Sequence, residues 1–223
     1  MLTVHHLENS RSQRVLWLLE ELEVPYQLKV YQRDRKTSLA PPELKQIHPL
    51  GKAPIVIDGD EVLVESGAIL EYLVETYGQG RLAPAPGTPE RQRYTFWMHY
   101  AEGSAMPPLL LLLITNRIRS AKVPFFVRPI TKGIAQKLTD GFVGPQVKTH
   151  LDFVEAELAR GQWFVGDMLT AADIQMSFPL EAATARAPGM DSRPHIRAFV
   201  ERIRARPAYQ RALAKGGPYT LGL

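Results

Sequence analysis

The run His48-Pro49-Leu50-Gly51-Lys52-Ala53-Pro54-Ile55-Val56, with Glu65-Ser66 close behind it, constrains this chain more than any other segment. Pro49 pushes His48 out of helical conformation, so a short helix entered at Pro41 ends there. Ala53 to Ile57 and Glu61 to Val64 read as two strands turning at Asp58-Gly59, a strong hairpin dipeptide. Ser66 then starts a helix carrying Ile69, Leu70 and Leu73, which closes near Tyr77-Gly78. An acid and a hydroxyl delivered to a helix start beside a proline-containing strand form a ledge suited to a peptide.

The segments before it complete a unit. Leu2-Thr3-Val4 reads as a first strand. Val15, Leu16, Leu18, Leu19 and Leu22 recur at helical spacing up to Pro25 and predict an amphipathic helix laying one stripe on a sheet. Leu28-Lys29-Val30-Tyr31 alternates as a second strand. The order βαβ, helix, ββα is thioredoxin-like and ends at about residue 78. Residues 79–89, rich in glycine and proline and without periodicity, read as a linker. Residues 90–223 then carry helical spacing nearly throughout. Val147, Leu151, Val154 and Leu158 line one helix; Ile196, Phe199, Val200 and Ile203 line another. Thr170-Ala171-Ala172-Asp173 has the form of a capping box, with Leu169 placed to staple to Ile174. The expected fold is an α/β thioredoxin-like domain followed by an all-α domain.

Composition narrows the chemistry. The chain has 223 residues and no cysteine, so disulfides, a cysteine nucleophile and thiolate metal sites are excluded, and any thiol chemistry uses a substrate's sulfur. Six histidines form no metal-binding pattern, and no glycine-rich phosphate loop is present. The longest apolar run, Leu109 to Ile114, is far short of a membrane span, so no membrane partner is expected and the cytoplasm is the default location. Residues 1–80 hold 8 Lys and Arg against 12 Asp and Glu, a net of −4, while residues 81–223 hold 19 against 11, a net of +8. The basic half lacks the aromatic-basic interleaving of a nucleic-acid module, and several of its arginines fall near helix C-termini, where cations are favourable. No nucleic-acid partner is expected.

Taken together, the Lys52-Ala53-Pro54 turn, the Glu65-Ser66 helix start and the Thr170-to-Asp173 box resemble the cytosolic glutathione transferases, with the theta and zeta serine-type classes nearest, over essentially the whole chain. The resemblance implies glutathione as co-substrate, no metal, and a cis Ala53-Pro54 bond. It further implies that Ala53 pairs through its backbone with the cysteinyl part of glutathione, that Glu65 and Ser66 hold the γ-glutamyl end, and that Lys52 meets the glycyl carboxylate. The thiol-activating group falls in Asn9-Ser10-Arg11-Ser12, between the first strand and first helix, where backbone N–H groups converge on an anion. Counting back from Arg14-Val15 puts Asn9 at the family's serine position and Ser10 one step later, so both are candidates. Ser10 and Gln13 also form a capping box of their own, which would make Ser10 a helix cap. Arg11 and Ser12 are possible helpers. The hydrophobic electrophile is expected between the Asn9 loop and the first long helix of the second domain, with Tyr100 and Met106 as candidate lining, where Pro107-Pro108 would kink that helix.

The implied activity is conjugation of the glutathione thiolate to electrophilic small molecules, with reduction of organic hydroperoxides as a second activity and detoxification as the broad role. The alternative is a non-catalytic member of the fold acting as a protein-interaction module, which would be expected to lose parts of the ledge. A homodimer is implied, with the helix bearing Ile69 and Tyr72 packing on a partner's helical domain.

Overall fold

Val4 pairs with Leu28 on one side and Val56 on the other, and from this central strand the first domain grows. The computed structural model describes residues 1–217 and 219–221. Strands β1 (Thr3–Leu7), β2 (Gln27–Tyr31), β3 (Ile55–Asp58) and β4 (Glu61–Val64) form one sheet in the order β2-β1-β3-β4. β1 and β2 are parallel, as a crossover helix requires, and β3 is antiparallel to both β1 and β4. Helices α1 (Gln13–Leu22), α2 (Leu44–Ile47) and α3 (Ser66–Tyr77) complete the domain.

α1 departs from the expected single apolar stripe. Nine of its ten residues are buried, Gln13, Arg14 and Glu20 among them, because two helices of the second domain cover the side that the sheet leaves open. α3 buries Ile69, Leu70, Leu73 and Val74 inside the subunit. Ile69 is therefore not available to a partner chain, and the Tyr72 hydroxyl donates to Asp58 Oδ2 at 3.1 Å.

The second domain is helical. α4 (Pro89–Tyr100) passes through a wide turn at Ala101–Ala105 into α5 (Met106–Arg119), and α6 (Arg128–Leu138) passes through a second at Thr139–Val143 into α7 (Gly144–Leu158). Each wide turn stands directly before proline, Pro107-Pro108 in one case and Pro145 in the other. The residues without N–H cannot close ordinary helical bonds, and the helix loosens ahead of them. At the second turn only glycine fits, since a Cβ on Gly144 would lie 2.8 Å from the Thr139 carbonyl oxygen. α8 (Ala171–Arg186) is the central helix, followed by α9 (Pro194–Arg204) and α10 (Pro207–Gly216).

Asp173 is buried at the start of α8 and accepts from the Phe164 N–H at 2.8 Å and from the Thr170 N–H and hydroxyl at 2.8 and 2.9 Å. Burial raises its carboxyl to about 6 against the downward pull of these donors. A single apolar core runs through both domains and includes Leu16, Trp17, Leu70, Trp97, Ile174 and Phe199. No described helix is long and apolar enough to cross a membrane.

Candidate functional site

The ledge assembles as a cleft of about 310 Å³ lined by Lys52, Ala53, Pro54, Glu65 and Ser66, with Arg11 and Glu102 closing its far side. The Ala53-Pro54 bond is cis. Ala53 lies just before the first ladder pair of β3, so its peptide groups stand at the end of the sheet where a bound strand would continue it.

Glu65, not Ser66, is the N-cap residue of α3, with φ at 69° in the left-handed region that a non-glycine residue rarely adopts. That backbone turn leaves the Glu65 carboxylate exposed and Ser66 buried at the first helical position. Glu65 and Lys52 make no ion pair among the described residues. Two free charges of opposite sign thus flank one small cleft.

Arg14 sets the hydroxyl between them. It is 1% exposed, donates from Nη2 to Ser66 Oγ at 2.7 Å and to Glu102 Oε1 at 2.6 Å, and from Nη1 to the Gln175 carbonyl at 2.8 Å. A guanidinium only donates, so Ser66 Oγ accepts here and keeps its own hydrogen for a ligand. Burial works to raise the Glu102 carboxyl, but the charges of Arg14 and Arg11 outweigh it and hold it below its ordinary value. Arg11 reaches both Glu102 oxygens, at 2.9 and 3.0 Å, and lies 4.9 Å over the Phe178 ring.

The loop before α1 resolves into a proton chain. His6 Nε2 meets the Gly216 carbonyl at 3.0 Å and Nδ1 meets Ser12 Oγ at 2.8 Å. Burial depresses His6 to about 4 despite these bonds, so the ring is neutral at neutral pH. The carbonyl can only accept, which puts the ring hydrogen on Nε2 and leaves Nδ1 an acceptor. Ser12 then donates to His6 at 2.8 Å in preference to the Leu7 carbonyl at 3.2 Å, and accepts from the Leu7 N–H at 3.1 Å. Ser10 Oγ, 2.7 Å from Ser12 Oγ, donates to it in turn and also accepts from the Ser12 N–H at 3.2 Å. Ser10 therefore has no hydrogen left to offer a ligand. The Ser10-Gln13 capping box is not formed, because the buried Gln13 amide has no partner among the described residues; Ser10 Oγ instead takes the N–H of Ser12, the residue directly before α1.

Asn9 differs. Its φ is 49°, and its Oδ1 accepts from the Thr220 N–H at 2.6 Å. Since that partner is a donor, the carbonyl end of the amide is assigned to it, and Nδ2 stays free to donate outward.

Tyr100 and Met106 are brought to neither the cleft nor the Asn9 loop. Tyr100 is 8% exposed, its hydroxyl lies 2.7 Å from His150 Nδ1 on α7, and Phe96, Trp97 and Phe153 surround its ring. Met106 is buried in the core at the start of α5. Sequence reasoning passed over Arg14 as a functional residue. The available signal was a lone arginine inside an apolar helix stripe, since a buried charge must find a partner. Among the described residues no group of His, Asp and Glu is gathered closely enough to hold a metal ion.

The sequence and fold are similar to those of known proteins. Residues 1–75 match the family model described as glutathione S-transferase, N-terminal domain, and residues 121–207 match glutathione S-transferase, C-terminal domain. The chain belongs to the glutathione S-transferase family. It is similar to glutathione S-transferase 3 of Schizosaccharomyces pombe, with 36% identity covering 100% of this chain and 91% of that protein. It is also similar to glutathione S-transferase 1 of Saccharomyces cerevisiae, with 34% identity covering 83% and 82% of the two chains. The crystal structure of a glutathione S-transferase from Actinobacillus pleuropneumoniae superposes with a TM-score of 0.82 at 35% identity, covering 99% of this chain and 95% of that one. The family's co-substrate is glutathione.

Proposed function

We propose that the chain is a cytoplasmic glutathione transferase that binds glutathione along the cis-Pro54 cleft, activates its thiol at Asn9 and adds the sulfur to an electrophilic small molecule. The carrying observation is the hydrogen bond from buried Arg14 to Ser66 Oγ, which leaves the Ser66 hydrogen pointing at a ligand between the free charges of Glu65 and Lys52. Glutathione has complementary groups in that order. Its γ-glutamyl ammonium pairs with Glu65, the neighbouring carboxylate takes the Ser66 hydroxyl and the unpaired N–H groups of the first turn of α3, and the glycyl carboxylate meets Lys52. The Ala53 peptide groups pair with the cysteinyl residue between them.

A free thiol ionises near ~8.5, so each unit by which a donor lowers that value favours the nucleophile by about 1.4 kcal/mol at neutral pH. What supports Asn9 over Ser10 is the proton count: Asn9 Nδ2 is free, and the Ser10 hydrogen is committed to Ser12. In the conjugation step the thiol proton passes to solvent, a sulfur–carbon bond forms, and the leaving group departs with its bonding pair. The same thiolate reduces an organic hydroperoxide to an alcohol and water with a second glutathione, giving glutathione disulfide.

The apolar wall for the electrophile is assigned to α5. Leu110, Ile114 and Arg117 share a face by their spacing, Leu110 and Ile114 are 46% and 44% exposed, and Arg117 is near enough to act on the charge of Arg33, which holds the Asn9 carbonyl.

The enzyme is proposed to work as a homodimer. α6 buries only Ala135 within the subunit and exposes Ile130, Ile134 and Leu138 in a line at four-residue spacing, an apolar face that a second copy would cover.

The direct test of the site is calorimetry. Wild-type protein should bind glutathione, and Ser66→Ala should weaken binding by about 1.5 to 3 kcal/mol, the worth of a hydrogen bond to a charged group. No heat of binding with the wild type would end the catalytic reading.

A further inference from the structure

We infer that the turn between α5 and α6 docks on an anionic membrane surface, with Phe125 and Phe126 entering the bilayer interface and the surrounding cations facing lipid headgroups. The inference goes beyond the catalytic reading and does not depend on it.

The two helices are joined through Lys122-Val123-Pro124-Phe125-Phe126-Val127-Arg128. Five apolar residues in a row stand between two cations, where a connection ordinarily carries polar side chains. The Val127 N–H donates to the Pro124 carbonyl at 2.9 Å, closing a turn with the phenylalanines at its two central positions. Phe125 is 79% exposed and Phe126 67%, and their rings meet edge to face at 5.6 Å. Neither ring belongs to the core. Both precede α6 and lie outside the face of Ile130, Ile134 and Leu138 proposed for a second copy.

Charge around the turn has one sign. Between Glu102 and Asp140 the chain carries Arg117, Arg119, Lys122, Arg128, Lys132 and Lys137 and no Asp or Glu, and all of these cations are exposed. Arg128 Nε donates to the Val123 carbonyl at 3.4 Å, which holds that side chain against the turn. Arg128 also stands in the first turn of α6, where the helix dipole disfavours a cation and no acid offsets it. Helix stability does not account for a cation there.

An anionic bilayer answers both features at once. Its headgroups attract clustered Lys and Arg, and the boundary beneath them takes apolar side chains without a shaped pocket. A nucleic-acid duplex matches the charge alone, since a phenylalanine gains burial there only by prying base steps apart. No described helix is long and apolar enough to cross a membrane, and the proposed contact is peripheral. α5 leads from this turn back to Leu110 and Ile114, the wall proposed for an apolar electrophile, and apolar compounds concentrate in bilayers.

The test is flotation of the full chain with phosphatidylcholine vesicles and with vesicles that also contain phosphatidylserine. It compares the wild type with a Phe125→Ser, Phe126→Ser variant and a Lys122→Gln, Arg128→Gln variant. Light-scattering mass and melting temperature are measured for all three in solution.

The wild type should float with the phosphatidylserine vesicles and not with phosphatidylcholine alone, and high salt should release it. Each cation near the surface is worth about fivefold in partitioning, so the variant lacking two should bind about tenfold or more weakly. The serine variant should lose about tenfold or more as well, with its mass and melting temperature kept. Wild type that stays in solution with phosphatidylserine vesicles overturns the inference, as does a serine variant that floats like the wild type. A lower mass for the serine variant overturns it too, by making the turn a contact between copies. Binding to a DNA duplex that exceeds binding to the vesicles and survives the serine substitutions assigns the patch to nucleic acid instead.

Discussion

Replacing Asn9 by glycine tests the group proposed to ionise the thiol. Glycine is the informative choice because Asn9 sits at φ 49°, where glycine is at ease and alanine is strained, so little of the effect is a backbone cost. The variant removes the free Nδ2 donor. A hydrogen bond to a charged acceptor is worth about 1.5 to 3 kcal/mol, so the ionisation of bound glutathione should move up by roughly 1 to 2 pH units. Turnover near neutrality should fall roughly 10- to 100-fold, with the loss recovered at high pH where the thiol ionises unaided. Ser10→Ala should leave the ionisation curve in place and cost about 1 kcal/mol of stability through the lost bond to Ser12. Asn9 also holds the Thr220 N–H, and Asn9→Asp separates the two roles. Aspartate keeps that acceptor while setting an anion beside the sulfur, so its thiol should ionise later still. The assay is thiolate ultraviolet absorbance against pH for the four proteins, with melting temperatures alongside. An unchanged curve for Asn9→Gly with a shifted one for Ser10→Ala would refute the proton count that runs from Gly216 through His6 and Ser12.

His6 gives a pH signature in the same chain of bonds. Its folded value of about 4 lies below the ordinary 6.5, so the unfolded state binds the proton more readily and the fold loses stability as pH falls from about 6.5 toward 4. Replacing it with glutamine should remove that loss: the advantage of wild type over His6→Gln should shrink by about 3 kcal/mol between pH 7 and 4 in denaturant titrations. Asp173, whose raised value works in the opposite direction over part of that window, is common to both proteins and cancels. For the proposed dimer face, Ile134→Asp should give a monomer by light scattering at micromolar concentration. A mass unchanged from wild type would place the contact elsewhere.

The parts of this fold legible in the sequence are those with local causes. Asp58-Gly59 marked the hairpin, Pro49 ended the short helix, and Thr170 with Asp173 marked the start of α8. The backbone of the proposed glutathione ledge was legible for the same reason, since the cis bond at Ala53-Pro54 and the turn at Glu65 belong to one short stretch. Three things were not legible. The one-stripe reading of α1 failed because α8 and α10, far along the chain in the second domain, cover its other side. Helical spacing marked Tyr100 and Met106 without saying which face meets the first domain, and both are turned into the core, Tyr100 at the end of α4 and Met106 at the start of α5. The proposed choice of Asn9 over Ser10 rests on which way a hydrogen points, and that is read from the Gly216 carbonyl, distant in sequence.

Arg14 shows why the two domains function as one site. It belongs to the first domain and orients Ser66, also of the first domain, yet its charge is met by Glu102 and its second amine by the Gln175 carbonyl, both of the helical domain. Without those partners a buried guanidinium would face the core unpaired, a cost of several kcal/mol that its position on α1 could not sustain. The hydroxyl proposed to read the γ-glutamyl carboxylate is therefore positioned from across the domain boundary. His6 repeats the pattern, with Ser12 on one side and Gly216 of α10 on the other. Neither the support of the Ser66 hydroxyl nor the chain of bonds through His6 and Ser12 is complete on the thioredoxin-like domain alone, although every residue predicted to touch glutathione lies within it.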